Sequence, residues 1–375
     1  MRRFVRAAAL TTSLLAIPFS AAVPAAAAPN VVASVKPLHS LAAAVMDGVG
    51  SPDLLLEAGQ SPHTYALTPS EAATLERADL VVWVGPALES FLVRPVRNIA
   101  RPDASLPLFR LPGLRVLETR EGGSWAAHDH AHGSDHGHDH GHDHGTDDHA
   151  HNHDHTGHDH TGHDHTGHDH AGHEHGDHDH VGHDHGNSHD TADATIQGIP
   201  ADRVDPHIWL DPVNAQRIVQ ALAARLAELD PANAAAYRAN AKAVNARIDV
   251  LDADLAQSLQ PVRDVPYVVF HDAYHYFEDR YGMRAVGSIT LSPDRQPGAR
   301  RLVEIRGKIA ELDARCVFRE PQFAPDLVQT VVENTAASVA TLDPLGVDHT
   351  AGPDAYLEMM RDLGDSLRGC LSPKS

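Results

Sequence analysis

Cysteine is almost absent from this 375-residue chain, which holds only Cys316 and Cys370. Two cysteines behind an export leader argue for a disulfide. A thiolate metal pair is the rival reading, but the two stand too far apart for the short ligand spacing of zinc sites. No cysteine directly follows the leader, so no lipid attachment at a new N-terminal cysteine is expected. A second absence is any later run of about 18 apolar residues, which excludes a permanent membrane-spanning helix from the expected fold. The third is basic charge. The net charge is −21, and 15 of the carboxylates lie in one stretch, His128 to Asp190, that contains no lysine or arginine. The remainder carries −6 and offers no basic footprint for nucleic acid.

That stretch is the most unusual thing present. It holds 25 of the 31 histidines, and its unit Thr-Gly-His-Asp-His occurs three times in a row from Thr156 to His170. With almost no apolar side chains it cannot bury enough surface to offset the entropy of ordering it, so a long exposed insert is expected. Its ligand density makes divalent metal binding the first reading, through pairs such as His158 and His160, His163 and His165, and His168 and His170. Imidazole suits zinc, copper, nickel and iron rather than magnesium or calcium. Metal receptors, transporters and metal chaperones could all use such a tract.

The N-terminus sets the compartment. Arg2, Arg3 and Arg6 precede an apolar run from Ala7 to Ile17, and the small residues Ala25 to Ala28 follow. That order is a secretory signal peptide cut near Ala26 to Ala28, and it predicts an exported protein of the periplasm.

Beyond the leader, short β-branched runs alternate with helical patterns. Val31–Val35, Asp53–Glu57 and Asp79–Gly85 read as strands, Arg115–Thr119 as a fourth, and helices are expected from Leu38 to Met46 and after Pro69, with Ser70 as cap. A long helical pattern from Asp230 to Leu259, without internal proline or glycine, reads as a connector. After it come further strands at Tyr267–Phe270, Met283–Ile289, Cys316–Phe318 and Ser338–Leu342, again separated by helices. The expected fold is α/β: two lobes, each a small parallel sheet flanked by helices, joined by one long rigid helix. The boundaries read as a leader at 1–28, a first lobe at 29–228 carrying the histidine-rich insert at 124–200, a connecting helix at 229–260 and a second lobe at 261–375.

Six histidines lie outside the tract: His39, His63, His207, His271, His275 and His349. His63, His207 and His271 fall in loops at strand ends or helix starts, where ligands bind in open α/β sheets. Three neutral imidazoles plus a water or a carboxylate make a tetrahedral site suited to zinc. Asp205 and Asp272 stand next to two of them and could orient an imidazole. No HExxH or other placed general base accompanies them, so the chain does not read as a hydrolytic zinc enzyme, or as an enzyme at all.

The segments GQSPHTYALTPS, DLVVWVGPALESF, DPHIWLDP, YVVFHDAYHYFEDRYG and ATLDPLG resemble, in this order, the zinc-receptor branch of the cluster A-I substrate-binding proteins, the ZnuA-like receptors of high-affinity zinc ABC importers. A histidine-rich insert between the second and third segments is also typical of that branch. The resemblance implies a non-enzymatic periplasmic receptor that captures zinc between two lobes and delivers it to a membrane permease. His63, His207 and His271 match the ligating positions. Manganese receptors of the wider family have a glutamate where His271 stands, so imidazole there implies zinc. Some zinc members carry a glutamate before the first histidine, where this chain has Pro62. Asp343 matches a carboxylate ligand of the manganese receptors and is the protein candidate for the fourth position, with water as the alternative. The pair Cys316 and Cys370 matches the disulfide of several zinc members. The implied partners are zinc, the permease and other zinc proteins of the periplasm, with the receptor acting as a monomer. The tract then becomes an auxiliary collector or sensor. The readings that compete are a periplasmic zinc chaperone or store, or a receptor for another divalent metal such as manganese.

Overall fold

Short apolar runs stopped by proline, glycine or a polar turn become the strands of two parallel sheets. The computed structural model describes residues 27–57, 59–120, 195–290, 297–323 and 325–373. The leader and the histidine tract, with the expectations placed on them, lie outside the described residues.

The first sheet has the order β2-β1-β3-β4, with β1 at Val31–Ala33, β2 at Asp53–Leu54, β3 at Leu80–Trp83 and β4 at Ser105–Pro107. All of its pairings are parallel, and the two inner strands, β1 and β3, are buried along their whole length. That is why they read as unbroken apolar runs rather than alternating ones. Between them pass α1, Lys36–Met46, and α2, Pro69–Arg77. The cap of α2 is Thr68, not Ser70: Thr68 and Glu71 form a reciprocal capping box, and Pro69 takes the first helical position, where no N–H is needed. Helix α3, Val93–Asn98, leads to β4.

The expected strand at Arg115–Thr119 is not the fourth strand of this sheet. β4 holds that place, its pattern concealed by brevity and by Pro107. The Arg115 N–H is taken by the Asn214 side chain at 2.8 Å, which leaves the segment no ladder to join at that point. Instead Glu118 forms an antiparallel bridge with Val204, Thr119 N–H donates to Arg203 at 2.8 Å, and Asp205 N–H donates to Leu117 at 2.9 Å. Beside this ladder, β5 (Thr195–Ile196) and β6 (Ile199–Pro200) form a hairpin whose turn residues, Gln197 and Gly198, both have positive φ.

Helix α4, Pro212–Leu229, is capped by Asp211, and one 3-10 turn then leads into α5, Ala234–Leu259. Its 26 residues make a rod of about 39 Å. Tyr237, Ala241, Val244, Ile248, Leu251, Leu255 and Leu259 form one buried stripe along it. That stripe packs on α1 and α4 from before it in the chain, and on α9 (Ala355–Leu371) from after it. Gly364 of α9 permits the approach, since a Cβ there would collide with Leu255.

The second sheet has the order β10-β9-β7-β8: β7 Tyr267–His271, β8 Ala285–Thr290, β9 Cys316–Arg319 and β10 Ser338–Thr341. It too is parallel throughout. Helices α6 (His275–Tyr281), α7 (Ala299–Glu311) and α8 (Asp326–Val332) connect its strands. Cys316, at the start of β9, is disulfide-bonded to Cys370 in the last turn of α9, across a Cα–Cα distance of 6.2 Å. No helix among the described residues is long and apolar enough to cross a membrane.

One buried acid in the turn after β3 makes stability depend on pH. The Glu89 carboxylate is fully buried and accepts from the N–H groups of Val84 and Gly85 at 3.1 and 2.9 Å, as well as from the Ser34 hydroxyl. Burial pushes its pKa up to about 7, and these hydrogen bonds offset only part of that. A raised carboxylate pKa favours the folded state while the group is protonated. Its contribution is present below the unfolded pKa and is lost as pH rises through the folded one. The metal-free protein should lose up to about 3 kcal/mol between pH 4.5 and 7 from this group. Glu89→Gln should flatten that segment of a denaturant-midpoint profile; an unchanged slope would show that another group sets it.

Candidate metal centre

Two loops and the end of a strand bring three histidines together. His63 follows Gly59-Gln60-Ser61-Pro62 in the loop between β2 and α2. His207 follows Asp205-Pro206 and opens the 3-10 turn Ile208–Leu210 ahead of α4. His271 is the last residue of β7, at the carboxyl end of the second sheet's central region. Their ligand nitrogens all lie within 4.8 Å of one another, the one such cluster of three metal-ligating side chains among the described residues. His207 and His271 are buried, and His63 is half-buried.

Two of the imidazoles are held by the same device. Asp205 Oδ1 accepts from the backbone N–H of His207 at 3.0 Å and from its Nδ1 at 2.8 Å. Glu320 Oε1 accepts from the backbone N–H of His271 at 3.3 Å and from its Nδ1 at 2.7 Å. In the neutral tautomer that donates from Nδ1 to its carboxylate, each imidazole has an Nε2 lone pair free for a metal, and the two Nε2 atoms stand 3.3 Å apart. Two Nε2 lone pairs at that distance repel unless a proton or a metal ion lies between them. Nitrogens about 2.0–2.1 Å from a tetrahedral zinc are themselves separated by roughly 3.3–3.4 Å. The donor set and its spacing fit zinc.

The electrostatics of the two clamped imidazoles differ. Burial, and then the proximity of His271, hold the His207 imidazole well below its ordinary pKa and so neutral. Burial also pulls His271 down, but the charge and hydrogen bond of Glu320 outweigh it and raise the net value. Burial, with Asp272 nearby, pushes Asp205 up to about 7. The cavity between the histidines has a volume of about 20 Å³, room for one ion or one water. Ser61, Pro62, Trp209, Phe323, Pro344 and Leu345 wall it.

The other expected residues stand apart from this cluster. Asp343 is outside the group of three. Its Oδ1 accepts from Leu345 N–H at 3.0 Å and Gln322 Nε2 at 2.9 Å, and its Oδ2 from Val347 N–H at 2.5 Å. Asp272 does not orient an imidazole; Arg120 engages it together with Glu278. His39 bonds the Pro52 carbonyl at 3.1 Å, His275 faces Asp205 at 3.7 Å, and His349 lies between Glu358 and Asp362. His158, His160, His163, His165, His168 and His170 lie outside the described residues. The group that sequence reasoning missed is Glu320. Its signal was position, one residue past the end of β9, where an α/β sheet presents its ligand-facing side chains. Glu320→Gln or Asp205→Asn should each weaken zinc binding by about 10–100-fold, read by competition with a chromophoric chelator. Unchanged affinity in both would show that neither carboxylate tunes the centre.

Comparison with known proteins decides the family. The model of the family described as ZnuA, the periplasmic component A of a zinc-uptake complex, matches residues 31–370. The chain belongs to the ZnuA family. The high-affinity zinc uptake protein ZnuA of Brucella suis is 43% identical over 343 residues, covering 92% of each chain. ZnuA of Yersinia pestis is 34% identical over 366 residues, covering 96% of this chain and 94% of its own. Among solved structures, a ZnuA crystal structure superimposes with a TM-score of 0.63 at 20% identity, over 92% of this chain and all of that one. The periplasmic zinc-binding protein TroA of Treponema pallidum gives 0.64 at 17% identity, with the same coverage. At those identities the structural likeness bears on fold alone, and the fold is that of the ZnuA and TroA receptors. As a ZnuA-family member the chain is a periplasmic zinc-binding component of an ABC-type uptake system, and its cargo is zinc.

Proposed function

We propose that His63, His207 and His271 bind zinc directly and that the receptor hands it to the membrane permease of a zinc ABC importer. The observation that carries this reading is the pair of carboxylate-clamped imidazoles with their Nε2 atoms 3.3 Å apart. A water fills the fourth position in this reading. Asp343 would have to give up hydrogen bonds within its own loop to serve there. Three nitrogen donors favour zinc over manganese. The protein is exported by its N-terminal leader, acts as a monomer and performs no catalysis.

The tract is an auxiliary collector or sensor that binds zinc more weakly than the centre. Isothermal titration of the protein lacking His128 to Asp190 tests the division of labour. One tight zinc site should survive while the weaker sites disappear. Loss of all tight binding would overturn the assignment of the centre and favour a storage protein whose main activity is the tract. Growth under a chelator separates those two again, since only loss of an importer's receptor starves the cell of zinc.

A further inference from the structure

A lysine at the first position of a helix is electrostatically misplaced, because the helix N-terminus already carries partial positive charge. Lys36 occupies that position in α1, directly after β1, and is only 7% exposed. Burying an ammonium group is costly unless acceptors surround it. Lys36 Nζ has three: the carbonyl oxygens of Gly346 at 2.7 Å, Val347 at 2.8 Å and His349 at 2.8 Å. All three belong to the loop that follows β10, on the far side of the centre in sequence.

That loop is fastened from both sides. Trp209, two residues after His207, donates from Nε1 to the Pro344 carbonyl at 2.8 Å. On its own side, Asp343 gathers the Leu345 and Val347 N–H groups and the Gln322 amide. Gly346 closes the turn at φ +65°, and a Cβ there would press on Met359 at 3.2 Å and on His349 at 3.3 Å. Between these fastenings Pro344 and Leu345 form a wall of the metal cavity.

We infer that Lys36 is a positioning residue for zinc retention, drawing the Asp343–His349 loop against the first sheet and so setting the wall over the three histidines. The inference rests on the zinc centre proposed above. Lys36 touches no ligand. It fixes the distance between the β1–α1 turn and a loop of the second half, and the three carbonyls it serves fix it in three directions at once. Without the ammonium, the wall is held to the first half by Trp209 alone among the hydrogen bonds described.

The test is the rate at which the full mature protein, loaded with one equivalent of zinc, gives it up to excess chelator. Lys36→Met keeps the length of the side chain and removes the charge. It should speed the slow phase of release about tenfold or more, and narrow the gap between the melting temperatures of loaded and metal-free protein. Lys36→Arg keeps the charge, but a planar fork cannot converge on three carbonyls, so it should restore only part of the retention. Gly346→Ala should speed release with Lys36 intact, which keeps the idea testable if Lys36→Met folds poorly. Release at the parent rate in Lys36→Met and Gly346→Ala, with loaded and metal-free proteins losing equal melting temperature, would reduce Lys36 to an ordinary fastener and overturn the inference. His63→Ala identifies the slow phase: if that phase survives the substitution, the centre is misassigned and the inference falls with it.

Discussion

Alanine at His207 should lower the affinity of the centre for zinc by at least about a hundredfold, more than loss of an outer hydrogen-bond partner costs. The substitution removes a nitrogen donor and also leaves the Asp205 carboxylate buried without the imidazole it clamps. His271→Ala should behave alike, stranding Glu320, which is 2% exposed. His63→Ala should cost affinity with little loss of fold stability, because His63 is only half-buried. Competition titration against a chromophoric chelator reads the first effect, and thermal melting of metal-free protein reads the second. Affinities within threefold of the parent in all three variants would refute the centre. Tract sites should be unaffected and provide an internal control.

Reduction of the Cys316–Cys370 bond should have the largest effect on stability. The bridge closes a loop of 54 residues, for which the chain-entropy estimate is about 4 kcal/mol. For a domain of this size that corresponds to a fall in melting temperature of roughly 8–16 °C. The bond ties the first residue of β9 to the last turn of α9, so reduction frees the helix that covers the second sheet. Cys316 is wholly buried, and a Cys316→Ala, Cys370→Ala protein should show the same loss as the reduced parent. A shift under about 2 °C would mean that packing of α9 on α5 holds the helix without it. Zinc binding should survive, since neither sulfur approaches the histidines: Cys316 and His271 lie at opposite ends of the second sheet.

The architecture was legible because parallel strands buried on both faces leave unbroken apolar runs, as at Leu80–Trp83 and Tyr267–His271. The long helix announced itself by length and by the absence of proline and glycine. The strand at Ser105–Pro107 was hidden, because three residues ending in proline carry no pattern, whereas Arg115–Thr119 carried one without a sheet to join. Among the site residues the histidines were legible by rarity outside the tract. Glu320 and Lys36 were not. A glutamate or lysine in a sequence is ordinarily a solvated side chain, and only folding shows that 49 residues separate Glu320 from the imidazole it orients and 310 separate Lys36 from its first carbonyl. Asp205 was easier, since it reaches across two residues to its own histidine.

The asymmetry of the two clamps bears on the order in which the protein matures. Asp205 and His207 are complete as soon as one turn of chain has formed, and His63 lies on the same side of α5. His271 and Glu320 come only with β7 and the end of β9. An unfinished chain therefore presents two imidazoles at most in this place and cannot grip zinc there tightly. A zinc ion held by this centre alone would stabilise the finished fold by up to about 4 kcal/mol when free zinc exceeds the dissociation constant a thousandfold, and zinc held by the tract would add nothing to that. In the proposed assignment, capture by the three histidines therefore waits for both clamps, whereas capture by the tract does not.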